Sequence, residues 1–130
     1  MNGIVSIDKP KGVTSHDVVQ RWRKLAQTKR TGHLGTLDPM ATGLLSLVTG
    51  TATRLAQFFG THEKTYVAEI RLGAVSDTYD AEGLVTETRV GIPGPELILS
   101  ALESFRGSFL QTPPPVSAKK VQGVAAYKLE

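Results

Sequence analysis

The chain of 130 residues contains no cysteine and only three histidines. The lack of cysteine excludes disulfides, thiol nucleophiles and zinc sites with sulfur ligands. None of the histidines has a second one nearby at the spacing of a zinc site, so we expect no metal centre. A reducing compartment, the cytoplasm, suits a chain of this kind.

Long apolar runs are also missing. No stretch approaches the roughly 18 consecutive apolar residues of a membrane span, and the first residues lack the basic and apolar regions of a signal peptide. The composition is otherwise ordinary, with 40% hydrophobic and 21% charged residues. We therefore expect a soluble protein with one folded domain, no internal repeat and no membrane partner.

Positive charge is concentrated in the first half. Residues 1–64 carry nine Lys and Arg against four Asp and Glu, a net charge of +5, whereas residues 65–130 carry six against eight, a net charge of −2. A polyanion bound to the first half would find cations to pair with its phosphates. A solvated basic surface explains the same pattern, so this signal alone does not identify a partner.

Apolar periodicity and turn residues predict an α+β chain. Strands are predicted at residues 3–8, 44–48, 65–72 and 84–87, and helices at residues 15–26, 51–59 and 96–105. Thr14 or Ser15 is the expected cap of the first helix, and Trp22 is the residue that we expect to pack into the core.

Residues 32–43 read Gly-His-Leu-Gly-Thr-Leu-Asp-Pro-Met-Ala-Thr-Gly, with a single carboxylate at Asp38. Glycine permits backbone angles that side chains forbid, and Pro39 fixes its own φ and pushes Asp38 toward an extended conformation. The sequence thus predicts a rigid loop that holds Asp38 in one orientation and leads into a buried strand. An ordinary turn has the same residue types, and the loop by itself leaves that alternative open.

Two further segments invite specific interpretations. Residues 77–83 are rich in acids, but no carboxylate stands at the twelfth position of a calcium loop, so an acidic turn is predicted. Residues 112–115 read Thr-Pro-Pro-Pro, which is stiff and extended and suits a linker, a recognition motif or the wall of a site.

Together with three other blocks, the loop resembles the catalytic motif of the TruB family of tRNA pseudouridine synthases, whose relatives include RNA-guided enzymes of the dyskerin type. The other blocks are residues 7–17, which read Ile-Asp-Lys-Pro-Lys-Gly-Val-Thr-Ser-His-Asp, residues 64–83 and residues 114–127. Four ordered blocks spread across the chain make this a specific match.

The resemblance implies a pseudouridine synthase fold, in which a mixed, largely antiparallel sheet is flanked by helices. It implies an enzyme that isomerises uridine to pseudouridine, specifically uridine 55 in the T loop of tRNA, after the base is flipped out of its stack. The reaction releases nothing and oxidises nothing, so no cofactor is expected. The implied partner is the T-arm of tRNA, and we expect the full-length enzyme to be a monomer.

The resemblance also assigns roles to individual residues. Asp38 is the implied catalytic nucleophile. His33 and Tyr66 are the implied contacts to the flipped-out nucleotide, and Tyr66 is implicated in removing the C5 proton. Supporting roles fall to four more residues: Lys9, Pro10, Gly35 and Thr36. Lys64 and the pair Lys119 and Lys120 are candidate phosphate contacts.

Members of this family are longer than this chain. An arginine that pairs with the catalytic aspartate, a second tyrosine, a leucine of the base pocket and a PUA-type RNA-binding domain have no counterpart in these 130 residues. We therefore expect residues 1–130 to be the N-terminal portion of a catalytic domain, with exposed sheet edges where further strands belong.

Two alternatives stay open. The first is a catalytically inactive RNA-binding module, in which Asp38 is only a turn residue. The second is a hydrolase or phosphotransfer site built on His33 and Asp38, which lacks a recognisable set of nucleophile, base and orienting group.

Overall fold

The computed structural model of the chain describes residues 1–59 and 63–111, together with the backbone of residues 120–121 and 124–125. Its contacts divide the chain into two compact units, Met1–Tyr66 and Val67–Glu130. The turn and linker signals of the sequence did not predict this division.

The first unit contains a three-stranded antiparallel sheet with the strand order β1-β3-β2. Strand β1 spans Gly3–Lys9, β2 spans Thr31–His33 and β3 spans Gly43–Thr49. The strands predicted at residues 3–8 and 44–48 are confirmed, whereas β2 was not predicted. Strand β3 is central and its last three residues are all buried, as expected for a strand that is covered on both faces.

Helix α1 spans Ser15–Leu25 and begins with a capping box. The hydroxyl of Thr14 accepts a hydrogen bond from the backbone N–H of Asp17 at 3.0 Å, and the Asp17 carboxylate accepts one from the Thr14 backbone N–H at 2.9 Å. Two backbone donors that the first turn would leave unpaired are satisfied in this way. The predicted cap at Thr14 is confirmed.

The core of the first unit lies where α1 packs against the sheet. Its buried centre consists of Val18, Val19, Leu45 and Leu47, and the partly buried residues around it are Val5, Ile7, Val13, Trp22 and Leu37. Trp22 packs into the core as predicted, whereas Leu25 is 79% exposed. Leu37 belongs to the loop between β2 and β3, so this loop is attached to the core by the residue immediately before Asp38.

A 3₁₀ helix, Gly50–Phe59, directly follows β3. The predicted helix is therefore present but more tightly wound, and its predicted stop at Gly60 lies outside the described residues. Gly50 has a φ of +64°, and a Cβ at this position would collide with the backbone of Met1 and the side chain of Asn2. A glycine is required here because both the backbone angle and the space exclude a side chain.

The second unit contains two short antiparallel ladders and a helix. Strand β4 (Ala74–Ser76) pairs with β5 (Val85–Glu87), helix α2 spans Pro95–Glu103, and β6 (Lys120–Val121) pairs with β7 (Val124–Ala125). The hairpin strand predicted at residues 84–87 is confirmed, and the last predicted helix is confirmed with an end at Glu103. No helix within the described parts of the chain is long and apolar enough to cross a membrane.

The strand predicted over residues 65–72 is wrong. These residues belong to no strand, and none of the strands in the described ranges pairs with them. Their apolar side chains lie in solvent, with Val67 fully exposed and Ile70 70% exposed. Strand propensity reports how well residues suit a pleated, half-buried surface, but a strand forms only against a partner.

Candidate active site

Asp38 lies in the loop between β2 and β3, and the residue before it is fixed by helix α1. The backbone N–H of Leu37 donates to the hydroxyl of Ser15 at 2.9 Å, and that hydroxyl lies 3.0 Å from the Leu37 carbonyl, to which it donates. Ser15 is the first residue of α1 and is buried. Since the side chain of Leu37 also packs on the core, the backbone that leads into Asp38 is held by both polar and apolar contacts.

The residue after Asp38 is fixed by the turn that follows β1. The carbonyl of Pro39 accepts a hydrogen bond from the backbone N–H of Gly12 at 2.8 Å and another from Lys9 Nζ at 3.3 Å. Gly12 has a φ of +84°, a conformation that favours glycine. The backbone is therefore anchored on both sides of Asp38.

Lys9 is completely buried, which is rare for a lysine. In addition to Pro39, its ammonium group donates to the carbonyls of Val13 at 2.7 Å and Pro10 at 3.1 Å. Three backbone carbonyls thus replace the water that the cation loses on burial. The ammonium group connects the turn after β1 to the loop of Asp38. The supporting role predicted for Lys9 and Pro10 stays a prediction.

The side chain of Asp38 is exposed, whereas both flanking residues are partly buried. Within the described part of the chain its carboxylate has no hydrogen-bond or ion-pair partner, and its own carbonyl accepts from the backbone N–H of Ala41 at 3.0 Å. The loop therefore presents one carboxylate to solvent from a backbone that is fixed on both sides. A nucleophile that must meet an incoming ligand requires this arrangement.

Gly35 and Thr36, which were predicted to support the site, lie in the same loop. The side chain of Lys64 packs over Gly35, because Lys64 Cε and Nζ lie 3.6 and 3.7 Å from the point that a Cβ on Gly35 would occupy. Thr36 is exposed. Lys64 thus brings a cation onto the loop three residues before Asp38, a contact that sequence spacing could not reveal.

His33 ends strand β2 opposite Leu47 and does not lie in the loop, which corrects the sequence prediction. Its ring is partly buried, and its Nδ1 atom is buried without a hydrogen-bond partner among the described residues. His33 lines a concavity with a volume of about 450 Å³. Four cations line the same surface and, with His33, define what we call the basic concavity: Arg23, Lys29, Arg30 and Arg54.

Tyr66 is the last residue of the first unit and is 66% exposed. It lies outside any strand and makes no hydrogen bond with a described residue. Its predicted contact with the nucleotide therefore stays a prediction. The proline segment at residues 112–115 and the side chains of Lys119 and Lys120 lie outside the described residues.

The acidic segment at residues 77–83 forms a turn that uses its own carboxylates. Asp77 accepts from the backbone N–H of Leu84 at 2.8 Å, and Asp80 accepts from the Thr78 hydroxyl at 2.6 Å and from the Glu82 backbone N–H at 2.9 Å. The Thr78 hydrogen bond and then that of Glu82 hold the pKa of Asp80 below its usual range. The predicted acidic turn is confirmed.

Comparison with known proteins identifies the family. The profile described as TruB family pseudouridylate synthase (N terminal domain) matches residues 23–130, so the chain belongs to the TruB family. Over 130 residues it is 53% identical to tRNA pseudouridine synthase B of Solibacter usitatus, and the match covers 99% of this chain and 44% of that protein. Over 129 residues it is 50% identical to the protein of the same name from Aquifex aeolicus, with coverages of 99% and 45%. The chain thus spans a little less than half the length of these relatives.

A solved structure supports the fold assignment. The chain is similar to a chain in the crystal structure of a Cbf5-Nop10-Gar1 complex, with a TM-score of 0.61 and 28% sequence identity. The similarity covers 91% of this chain and 31% of that chain. The predicted α+β pseudouridine synthase fold, with its antiparallel strand pairing, is confirmed.

Proposed function

We propose that the protein that carries this chain converts uridine to pseudouridine in tRNA, with Asp38 as its catalytic carboxylate. The observation that carries this proposal is the exposed Asp38 carboxylate, which has no partner among the described residues and lies between two anchored residues, Leu37 and Pro39. The names of the relatives at about 50% identity, tRNA pseudouridine synthase B, support the substrate class.

The proposed reaction is an isomerisation. The N1–C1′ bond of uridine breaks, the uracil turns, and a C5–C1′ bond forms; the proton lost from C5 is balanced by a proton gained at N1. Asp38 acts either as a nucleophile at C1′ or as the base that produces a glycal intermediate. Both routes need a carboxylate whose position is fixed before the substrate arrives, since a misplaced reacting group costs much of the rate.

The target base must leave its stack to reach Asp38, which costs a few kcal/mol. We assign His33 and Tyr66 to the contacts that replace the lost stacking, because flat rings can stack on any base. The proposed target is uridine 55 of the T loop, and the proposed location of the enzyme is the cytoplasm. Lys64 adds a cation to the loop, where a phosphate near the target nucleotide would be attracted.

An Asp38→Asn variant of the full-length protein tests this proposal. We expect pseudouridine formation, measured by tritium release from tRNA labelled at C5 of uridine, to fall by more than about a thousandfold, because the removed group takes part in bond making. Binding of the tRNA should change by less than about threefold, since an exposed carboxylate only repels phosphates. Asp8→Asn is the matched control, because Asp8 is also exposed and lies in the same unit. Turnover of Asp38→Asn equal to that of the control would refute the proposal.

The basic concavity favours a second candidate, an RNA-binding module without catalytic activity. The same experiment separates the two functions. A wild-type protein that binds the tRNA but releases no tritium under any condition would support the binding module, and Asp38→Asn would then be indistinguishable from wild type.

A further inference from the structure

We propose that Arg23 is a positioning residue, which fixes the orientation of His33 by holding the free edge of strand β2. This inference rests on the proposed function, because it concerns how the ring assigned to the nucleotide contact is kept in place. Arg23 lies in the last turn of α1, and His33 is the last residue of β2. Both residues belong to the first unit.

Strand β2 is a weak element by itself. It has three residues, it lies at one edge of its sheet, and within the described chain it pairs with β3 alone. Strands in proteins typically have about five or six residues, so a strand of this length depends on contacts with other elements. The position of His33 at its end therefore depends on what holds β2 in place.

The pairing of β2 with β3 shows which backbone groups of β2 point away from the sheet. The Gly50 N–H donates to the Arg30 carbonyl at 2.8 Å. Beyond the other end of β2, the Leu34 N–H donates to the Ser46 carbonyl at 2.9 Å. In an antiparallel pair, residues that direct their backbone groups at the partner strand alternate with residues that direct them outward. Since Thr31 comes one position after Arg30, its carbonyl points to the outer edge of β2.

Arg23 supplies a hydrogen-bond donor at this outer edge. Its Nη2 atom donates to the Thr31 carbonyl at 2.7 Å, a short distance that is typical of a charged donor. The Nε atom of the same guanidinium group is buried without a hydrogen-bond partner among the described residues. Because Nε makes no such contact, the hydrogen bond to Thr31 sets the orientation of the group. The free edge of β2 is thus tied to α1.

Thr31 is also held from the side of the sheet. Its hydroxyl lies 3.1 Å from the hydroxyl of Thr49, and both residues are buried. Arg23 and Thr49 therefore fix Thr31 from two sides, at a position two residues before His33. Side chains two residues apart point to the same face of a strand, so a displacement of Thr31 also displaces His33.

The imidazole of His33 is not anchored through its buried nitrogen. The Nδ1 atom has no hydrogen-bond partner among the described residues, so the orientation of the ring follows from the backbone of β2 and from packing. A small displacement of a group that contacts the substrate can cost much of the rate. The hydrogen bond from Arg23 to Thr31 is therefore expected to matter for turnover, although Arg23 itself contacts no reacting atom.

The first test follows the His33 ring by NMR in the absence of RNA. In the full-length protein labelled at histidine, the signal that disappears in His33→Ala belongs to His33. We expect this signal to move in Arg23→Met, which keeps an apolar stem at a partly buried position but removes the donor. Arg23→Lys should return the signal toward its wild-type position, because the ammonium group can replace a single hydrogen bond.

Lys24→Met is the matched control for the NMR test, since Lys24 is an exposed cation in the same turn of α1. A His33 signal that moves no further in Arg23→Met than in Lys24→Met would overturn the inference. Arg23→Gln is a second variant, whose side chain is too short to reach Thr31. It should move the His33 signal in the same way, and it decides the question should Arg23→Met fail to fold.

Amide hydrogen exchange tests the strand itself. The Leu34 N–H is bonded to Ser46 directly after β2, so its exchange should become faster in Arg23→Met and Arg23→Gln when the edge of β2 is released. Arg23→Lys should exchange at nearly the wild-type rate. Unchanged Leu34 exchange in both Arg23→Met and Arg23→Gln would show that Arg23 does not hold the strand.

A double-mutant cycle tests whether Arg23 acts through His33. With saturating tRNA in a single turnover, we expect Arg23→Met to release tritium about tenfold more slowly than wild type, and Arg23→Lys to stay within about threefold of it. In the His33→Ala background, Arg23→Met should slow the reaction by less than about twofold, because no ring is left to position. Equal slowing in both backgrounds would mean that Arg23 acts independently of His33 and would overturn the inference.

Failure of this inference can be told apart from failure of the proposed function. Absent tritium release by the wild type would refute the proposed function, whereas the NMR signal and the Leu34 exchange are measured without RNA and still decide whether Arg23 positions His33. Normal tritium release by the wild type, with an unmoved His33 signal in Arg23→Met and Arg23→Gln, would refute the positioning role alone.

Discussion

The hydroxyl of Ser15 is hydrogen-bonded to both backbone groups of Leu37, at 2.9 Å to its nitrogen and at 3.0 Å to its oxygen. One side chain at the start of α1 thus fixes the peptide units that precede Asp38. The helix is anchored in turn by its capping box and by Val18 and Val19 in the core. The position of the Asp38 carboxylate, the proposed catalytic group, therefore depends on the packing of helix α1.

Replacement of Ser15 by alanine tests this relationship. Ser15→Ala removes both hydrogen bonds and leaves two partly buried backbone groups of Leu37 unpaired, so we expect a loss of about 2 kcal/mol in the free energy of unfolding. Turnover should fall more than tRNA affinity, because the loop loses its alignment while the cations are unchanged. Urea unfolding and single-turnover tritium release measure the two effects. Ser6→Ala, at an exposed position of β1, is the control, and an effect no larger than that of the control would contradict the prediction.

Replacement of Lys9 by methionine should have a similar effect from the other side of the loop. Lys9→Met keeps most of the shape of the side chain but removes the donor shared by Pro10, Val13 and Pro39. We expect a loss of about 2 kcal/mol in stability and at least about a tenfold loss in turnover. Lys9→Arg should restore neither the stability nor the turnover, because the position is fully buried and has no room for a guanidinium group. Wild-type turnover in Lys9→Met would show that the Pro39 contact is dispensable.

The sequence predicted those parts of the fold that depend on local patterns. The alternation in β1, the capping residue Thr14 and the apolar spacing of α1 each follow from neighbours along the chain, and all are confirmed. The rigid loop was also predicted from Gly and Pro. Its anchors were not, because Ser15 and Lys9 reach Leu37 and Pro39 across 22 and 30 positions of sequence.

The strand that was missed and the strand that was wrongly predicted also depend on contacts between residues that are distant in the sequence. Strand β2 is three residues long and exists because Gly32 and His33 pair with β3, which no local propensity reports. Residues 65–72 have strong strand propensity but no partner within the described chain. The basic half of the sequence was recognised as a charge excess, whereas its convergence into one concavity depends on how α1, β2 and the 3₁₀ helix pack.

A side chain at Gly83 should disrupt the acidic turn of the second unit. A Cβ there would collide with the side-chain oxygens of Asp77, Thr78 and Ser76, whose hydrogen bonds hold the turn. We expect Gly83→Ala to cost about 1–3 kcal/mol, since overpacking forces these groups apart. Amide hydrogen exchange at Leu84 should become faster, because Asp77 accepts from that N–H.

Gly91→Ala provides the control for the Gly83 prediction. A Cβ at Gly91 would meet no atom within 4 Å, so the change in glycine content is matched while no contact is disturbed. Equal stability and equal Leu84 exchange in the two variants would show that the turn tolerates a methyl group.

The capping box of α1 should make the stability of the first unit depend on pH. Hydrogen bonds from the Thr14 side chain and then from the Thr14 backbone hold the pKa of Asp17 below its usual range. A carboxyl group with a lowered pKa in the folded state stabilises the protein fully above its ordinary pKa of about 3.9, and this contribution is lost as the pH falls through the lower folded value. We therefore expect Asp17→Asn to be less stable than wild type near neutral pH, and the difference to shrink below about pH 4.

The sign of this pH dependence can be checked by urea unfolding. The midpoints of the wild type, Asp17→Asn and Thr14→Ala are measured across this pH range. Thr14→Ala removes the single hydroxyl that accepts from the Asp17 N–H and donates to the Asp17 carboxylate. The N–H hydrogen bond does not depend on the charge of Asp17, so about 1 kcal/mol of the cost of Thr14→Ala should persist at every pH. A difference between wild type and Asp17→Asn that stayed constant down to about pH 3 would mean that the charge of Asp17 does not stabilise the helix. Because Ser15 begins this helix and holds Leu37, tritium release from tRNA should then also be insensitive to Asp17→Asn.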